Sequence, residues 1–281
     1  MHSGSFLVTG ASTGIGRACV DQLVSIGAHV WATVRSDSDE QALRQAHGDK
    51  VSVLRMDITD SGAIAEAGAK VCAAGPLNGI LDNAGIAVPA PLEYLPIEAF
   101  RRQLEVNLVG QLAITQAVMP ALRAAREAGQ QARIVIVGSI GGRIAGPMLG
   151  AYHVSKFALV GLADSLRAEL APSGIKVVLV EPGAVATPIW RRGTDSGNEL
   201  IDSIGEGALA RYQKQIEATR KNAAASAKRG IPPERAAAVI VKAMTAPNPR
   251  PRILIGPDAH IASLVARLPF RLRYRLTAAK P

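Results

Sequence analysis

Short apolar runs alternate along the chain with longer stretches that carry apolar residues at helical spacing. Residues 6–8, 29–34, 51–56, 79–81, 134–138 and 175–180 are strand-length runs rich in Val, Ile and Leu. Ala18, Val20, Leu23, Val24 and Ile26 then repeat at helical intervals, and similar patterns cover 60–73, 96–127 and 150–171. Six strand–helix units predict an α/β protein built on a right-handed, doubly wound parallel sheet of about seven strands with helices on both faces. The last strand is expected at 253–255. Residues 188–230 break the rhythm with Trp190, Arg191, Arg192, a polar Gly/Ser/Asp stretch and an Ala/Lys-rich helical segment, and their length and position predict a lid. Pro232-Pro233-Glu234 opens a further helix. The expected organisation is one domain over 1–258, lid included, and a basic amphipathic tail over 259–281.

Composition sharpens this picture. At 281 residues and 29.3 kDa the chain suits one large domain. Hydrophobic residues make up 48% and aromatics only 4%, so the interior is expected to be the aliphatic filling of buried parallel strands. The net charge of +9 is uneven: residues 1–210 hold 17 basic and 20 acidic residues, whereas 211–281 hold 15 and 3. The basic character belongs to the C-terminal quarter rather than to a nucleic-acid-binding face. Cys19 and Cys72 have no Cys-x-x-Cys partner and the five histidines show no ligand spacing, so reduced core thiols and no metal are expected. The first strand leaves no room for a leader before it, and no apolar run reaches 18 residues. A cytoplasmic protein is the expectation.

Two stretches carry chemistry. In Thr9-Gly10-Ala11-Ser12-Thr13-Gly14-Ile15-Gly16, between a strand and a helix, Gly10 permits a tight turn. Gly14 and Gly16 let backbone and helix approach a phosphate held on the free N–H groups of the helix start. The second strand ends at Val34-Arg35 with no carboxylate, and an arginine there can pair with a 2′-phosphate, pointing to NADP(H) over NAD(H). Asp37 and Asp39 stay open as partners of a 2′-hydroxyl. Asp57-Ile58, at the end of the third strand, offers a carboxylate to an adenine amine. Farther on, Tyr152 and Lys156 stand four apart on one helical face, and Ser139 closes the strand before them. A tyrosine with a pKa of about 10 carries a proton well only when a nearby cation and a helix start favour its phenolate. Lys156 supplies the cation, and Ser139 can orient a substrate oxygen while Tyr152 handles its proton. His153 is expected to point away from the tyrosine's face.

Taken in order, Thr9-Gly10-x-x-x-Gly14-Ile15-Gly16, Asn83-Ala84-Gly85, Asn107, Ser139, Tyr152-x-x-x-Lys156 and Pro182-Gly183 resemble the short-chain dehydrogenase/reductase family. The resemblance covers roughly residues 5–190 and implies a Rossmann-like fold. It implies a catalytic set of Asn107, Ser139, Tyr152 and Lys156, with Lys156 also bonding the nicotinamide ribose and Asn107 holding a water in the proton relay. It further implies that Asn83, Ala84 and Gly85 support sheet and cofactor, that Asp57 contacts adenine, and that the 182–187 loop, with Pro182, Gly183, Val185 and Thr187, binds the carboxamide. Asp82 departs from the family's frequent Asn. Val34-Arg35-Ser36 after the second strand and the run from Val137 through Leu170 look most like the branch of 17β-hydroxysteroid and retinol dehydrogenases, implying a bulky apolar alcohol, ketone or aldehyde as substrate.

Competing classes are a nucleotide-binding sensor with little turnover and a basic surface binder. A sensor would show a broken catalytic set, and this one is whole; a nucleic-acid binder would interleave exposed aromatics. A homodimer or homotetramer is expected through the helices near 97–127 and 151–171, where Val106, Val109, Leu112, Leu159, Leu162 and Leu166 occupy more than one face. In the tail, Ile261, Leu264, Val265 and Leu268 follow helical spacing among Arg267, Arg271, Arg273 and Arg275. Three fates are open to it: packing over the lid, burial between subunits, or peripheral contact with an anionic membrane. Pro269 shortens the stripe, which favours docking on protein.

Overall fold

A computed structural model describes residues 4–202 and 206–277. Its strands are β1 (Ser5–Val8), β2 (His29–Val34), β3 (Val51–Arg55), β4 (Gly79–Asp82), β5 (Arg133–Val137), β6 (Lys176–Pro182) and β7 (Arg252–Ile255). All neighbours pair in parallel in the order β3-β2-β1-β4-β5-β6-β7. The direction of winding reverses between β1 and β4, which opens a crevice at their carboxyl ends. The helices are α1 (Gly14–Ser25), α2 (Asp37–His47), α3 (Ser61–Ala73), α4 (Ile97–Leu104), α5 (Gly110–Ala117), α6 (Met119–Glu127), α7 (Gly150–Leu170), α8 (Ile189–Asp202), α9 (Glu206–Arg229), α10 (Pro233–Thr245), α11 (Pro257–Val265) and α12 (Phe270–Thr277).

Successive strand residues point to opposite faces, so a strand covered on both sides must be apolar at every position. The central strands follow this rule apart from the buried Thr33, Asp82, Arg133 and Glu181. Val8, Leu81, Val135, Val137, Val178 and Val180 pack in one layer with α1 and α10. Leu7, Ile80, Ile134, Ile136, Val177 and Leu179 pack in the other with α3, α5, α6 and α7.

Several expectations need correction. The segment 37–47 is helical although its sequence is polar; only Leu43 is buried, and Ser36 caps it by accepting from the Asp39 N–H at 3.2 Å. The pattern at 96–127 is not one helix. A π-helical turn at Glu105–Val109 separates α4 from α5, and a Cβ on Gly110 would lie 2.2 Å from the Ile58 carbonyl oxygen, so this backbone rides directly on the β3 exit. Glu181 and Pro182 are the last residues of β6 rather than a loop. Of the residues expected at a subunit interface, Val106 and Leu159 are buried in the monomer, Leu112, Leu162 and Leu166 are half-buried and Val109 is exposed. Val154 and Phe157, unforeseen, are exposed beside it.

The tail differs from its expected arrangement. Ala259 and Ser263 form the inward face of α11, while Ile261 and Leu264 point outward at 65% and 63% exposure. Small residues sit inside because the helix approaches closely enough for the Ser263 hydroxyl to accept from Arg143 at 3.0 Å. Residues 278–281 of the expected tail and 203–205 of the expected lid lie outside the described residues. Among the described residues no helix is long and apolar enough to cross a membrane.

Candidate active site

The glycine turn joins β1 to α1. Gly10 and Gly14 have φ of +64° and +59°, a region in which side chains are strained. A Cβ on Gly10 would meet the Ala84 backbone at 2.9 Å, and one on Gly16 would meet the Gly10 carbonyl oxygen at 2.2 Å. The turn is held from below: the Asn83 amide donates to the carbonyls of Thr9 (2.9 Å) and Gly10 (3.1 Å), and the Thr9 hydroxyl accepts from the N–H groups of Asn83 and Ala84. The Gly10 N–H donates to the Thr33 hydroxyl at 3.2 Å. Thr13 starts α1 without a side-chain cap, which leaves the first N–H groups of the helix facing the crevice.

A cavity of about 280 Å³ lies above this turn. Gly10, Ser12, Thr13, Gly14 and Ile15 line one end, Arg35, Asp57 and Ile58 one side, and Asn83, Ala84 and Gly85 the floor. Ser139, Tyr152, Lys156, Pro182, Gly183, Val185 and Thr187 line the remainder. Gly16 and Asn107 lie outside it. Gly16 packs beneath the turn, and Asn107 is fully buried in the π-helical turn. Backbone donors at a helix start, glycines that admit a ligand and an arginine at the rim together fit a dinucleotide phosphate.

Asp37 and Asp39 turn elsewhere. Asp37 pairs with Arg55, and Asp39 accepts from the Ser36 hydroxyl at 2.7 Å. Arg35 faces the cavity with no hydrogen-bond or ion-pair partner among the described residues. Partial burial works against the Asp57 carboxylate, but hydrogen bonds from Thr59 and the charges of Arg102 and Arg35 hold it below its ordinary value.

At the other end of the cavity stand Ser139 and Tyr152, the Ser139 hydroxyl accepting from the Gly141 N–H at 3.0 Å. Lys156 lies with its Nζ 5.7 Å from the centre of the Tyr152 ring and donates to the Val137 carbonyl at 2.8 Å. Burial, opposed by the nearby Ser139 hydroxyl, raises the tyrosine, and burial lowers Lys156 to about 8. This departs from the expected phenolate. The ammonium is bound to a backbone carbonyl rather than to the phenol, so desolvation outweighs its attraction.

Asn107 accepts from the Ile86 N–H at 2.8 Å and donates to the Ile86 carbonyl and the Ser155 hydroxyl, each at 3.0 Å. Ser155 donates in turn to the Tyr152 carbonyl at 2.7 Å. The side chain thus ties the π-helical turn to the Tyr152 helix. His153 is not remote from the tyrosine: the rings meet edge to face at 6.1 Å. Its Nδ1 donates to the Gly141 carbonyl at 2.9 Å and its Nε2 accepts from the Gly146 N–H at 3.2 Å, bracing the loop after Ser139. Burial lowers its pKa and keeps it neutral for both bonds.

Sequence reasoning missed three supports. Glu181 is fully buried and accepts from Arg143 at 2.5 and 2.7 Å and from Arg252 at 2.7 and 3.2 Å. Burial raises its pKa, but the two arginines overcome this and hold it ionised. Asp258 accepts from the Ala184 N–H at 2.6 Å, and a Cβ on Gly183 would collide with its carboxylate at 2.2 Å. Met148, which has a positive φ (68°), packs against Ile201 of α8 and Ile216 of α9. None has a local sequence spacing that would announce it.

A second cavity, of about 570 Å³, adjoins the first and is lined by Ile140, Gly141 and His153, the chain neighbours of Ser139 and Tyr152. Ala87, Ile189, Trp190 and Gly193 line both cavities, and Ile144, Met148, Leu149, Ile201 and Ile216 give the larger one apolar walls. Among the described residues no group of three or more His, Cys, Asp or Glu side chains could hold a metal ion.

Comparisons with known proteins agree with this geometry. Residues 5–196 match the family described as short chain dehydrogenase. A protein of Ornithobacterium rhinotracheale named NADPH-dependent 3-dehydrocapnine reductase is 32% identical over 254 residues, 89% of this chain and 87% of that one. Human 17-beta-hydroxysteroid dehydrogenase type 1 is 31% identical over 252 residues, 86% of this chain and 74% of that one. A crystal structure of a short-chain dehydrogenase from Streptomyces avermitilis superposes with a TM-score of 0.77 at 30% identity, covering 95% of each chain. With a sheet wound in the family's order, a glycine turn built for a phosphate, and Ser139, Tyr152 and Lys156 gathered in one cavity, this chain belongs to the short-chain dehydrogenase family of oxidoreductases.

Proposed function

We propose that the protein is an NADP(H)-dependent oxidoreductase acting on a hydrophobic ketone, aldehyde or secondary alcohol of steroid, retinoid or lipid type. The observation that carries this reading is the apolar 570 Å³ cavity that adjoins the one holding Ser139 and Tyr152, sharing Ala87, Ile189, Trp190 and Gly193 with it, and is walled by Ile144, Met148, Ile201 and Ile216. A pocket of that size takes a substrate with a large apolar body. The preference for NADP(H) over NAD(H) rests on Arg35, which faces the cofactor cavity while Asp37 and Asp39 are engaged elsewhere. The name of the Ornithobacterium relative, NADPH-dependent, favours the same cofactor.

In this reading Gly10, Ser12, Thr13 and Gly14 receive the pyrophosphate on backbone N–H groups, and Arg35 takes the 2′-phosphate. Asp57 and Ile58 flank the adenine; Pro182, Gly183, Val185 and Thr187 flank the nicotinamide end. When bound there, the nicotinamide would supply or accept the hydride that the substrate carbon exchanges. Tyr152 gives a proton to the carbonyl oxygen or takes one from the alcohol, and Ser139 holds that oxygen by its hydroxyl. Lys156 brings positive charge beside the phenol, and Asn107 fixes the π-helical turn against the Tyr152 helix. Residues 188–230 act as the lid, closing apolar walls over the substrate and excluding water.

The exposed Val109, Val154 and Phe157 support pairing of subunits into a homodimer or homotetramer through this face. Free Cys19 and Cys72 fit a reducing cytoplasm. Fluorescence titration with NADPH and NADH, followed by a panel of apolar ketones, aldehydes and secondary alcohols, tests the reading. Tighter NADPH binding with turnover of apolar carbonyls is expected. Equal binding of the two cofactors would overturn the NADP(H) assignment, and turnover confined to small polar substrates would overturn the substrate class.

A further inference from the structure

The outer surface of α11 and α12 is apolar and basic, and among the described residues much of it is left exposed. Ile261, Leu264, Phe270, Leu272, Tyr274 and Leu276 are between 49% and 68% exposed. Such residues scattered singly mean little, but here they cluster: Ile261 and Leu264 share one face of α11, and on α12 Phe270 stacks on Tyr274 at 6.0 Å with Arg273 over the Phe270 ring. Arg267, Arg271, Arg273 and Arg275 stand among them, and none of these arginines has an acidic partner among the described residues. The single acid of residues 257–277, Asp258, is turned inward onto the Ala184 N–H. The inner face is committed as well, with Ala259 and Ser263 packed against the body. The outward face of α11 is therefore fixed by the fold, and α12 buries none of its residues.

We propose that this face docks on an anionic lipid surface. The charges select that partner over a second copy of the chain. A two-fold pairing through the patch would set arginines against arginines and desolvate them without counter-charge, whereas phospholipid phosphates supply the opposite sign. The alternation of aromatic or leucine side chains with arginines suits the headgroup boundary, where rings sit at the interface and arginine stems lie along apolar surface with their heads in water. The patch also adjoins the large cavity, because Ala262 and Thr277 of the same two helices line it. A membrane at this face would lie against the mouth of the apolar cavity. Docking needs no turnover, so it is measured independently of the function proposed above.

The test is co-sedimentation of the full chain with vesicles of phosphatidylcholine alone and of phosphatidylcholine mixed with phosphatidylglycerol. Binding to the mixed vesicles that weakens as salt is raised is expected, with little binding to the neutral ones. Arg271→Gln/Arg275→Gln removes two cations that hold nothing inside the protein and lowers partitioning about thirtyfold. Phe270→Ser, at a 68% exposed position, lowers it on the order of tenfold with an unchanged melting temperature. Absence of binding to mixed vesicles, or equal binding by native and double-variant protein, overturns the proposal. So does a concentration-dependent mass in light scattering that Phe270→Ser abolishes, since a second copy would then cover the face.

Discussion

Asp82 stands directly before the Asn83-Ala84-Gly85 floor of the cofactor cavity, and its titration gives a measurable signature of that floor. Its side chain is buried; Oδ2 accepts from the Thr115 hydroxyl at 2.7 Å and Oδ1 has no hydrogen-bond partner among the described residues. Burial, opposed only by the Thr115 bond, raises its pKa from 3.8 to about 7. Below 3.8 the carboxyl is protonated in both folded and unfolded chains and stability does not depend on it. Between 3.8 and about 7 the unfolded chain ionises while the folded one keeps its proton, so stability falls as pH rises. At 1.36 kcal/mol per unit over about three units, the loss is on the order of 4 kcal/mol and is complete above neutrality. Asp82→Asn keeps the shape and removes the proton. Urea unfolding of both proteins from about pH 4 to about pH 8 is the assay. The variant should gain on the native protein by roughly that amount across the window, with the steepest change between pH 4 and 7. A difference that stays constant with pH would refute a neutral, desolvated Asp82.

Tyr152→Phe keeps the ring and removes the transferable proton, so kcat should fall by roughly 10²- to 10⁴-fold while NADPH fluorescence titration is unchanged; a near-native rate would end the mechanism. Arg35→Asp should shift the ratio of kcat/KM for NADPH and NADH towards NADH, because attraction to a phosphate becomes repulsion; an unmoved ratio would refute the role of Arg35. Glu181→Gln leaves Arg143 and Arg252 facing a neutral group in a buried site and should cost about 3–5 kcal/mol in calorimetry or urea unfolding. Gly183→Ala should weaken cofactor binding, since its Cβ would displace Asp258 from the Ala184 N–H; unaltered NADPH affinity would count against that brace.

What was legible in the sequence was local. The glycine turn and the Tyr152–Lys156 pair depend on fixed spacings inside one element, and strand runs such as 29–34 are apolar because both faces are covered. Helix α2 was not legible, since a single buried residue, Leu43, sets no period and its cap is one serine. The long pattern at 96–127 reported amphipathicity but not the contact of Gly110 with the Ile58 carbonyl that accompanies the change of winding. Periodicity in the tail revealed two unlike faces without saying which one is covered. There, the size of Ala259 and Ser263 decided in favour of close approach over apolar content. The poise of Tyr152 was misjudged for a related reason: sequence places Lys156 on its face, but only the fold shows the ammonium bound to Val137.

The Glu181 carboxylate is held in common by residues far apart in the chain: Arg143 in the loop after Ser139, Arg252 on β7 and, through Arg143, Ser263 on α11. A shared group of this kind cannot be released by one holder while the others stay in place, because each departure leaves charge buried and uncompensated. Amide protons in the 140–147 loop, the end of β6, β7 and the first turns of α11 should therefore exchange with solvent through one common opening event rather than through separate local ones. The C-terminal helix then sets the lifetime of the closed serine loop, and anything that clamps its outer face slows hydrogen exchange at the opposite end of the site.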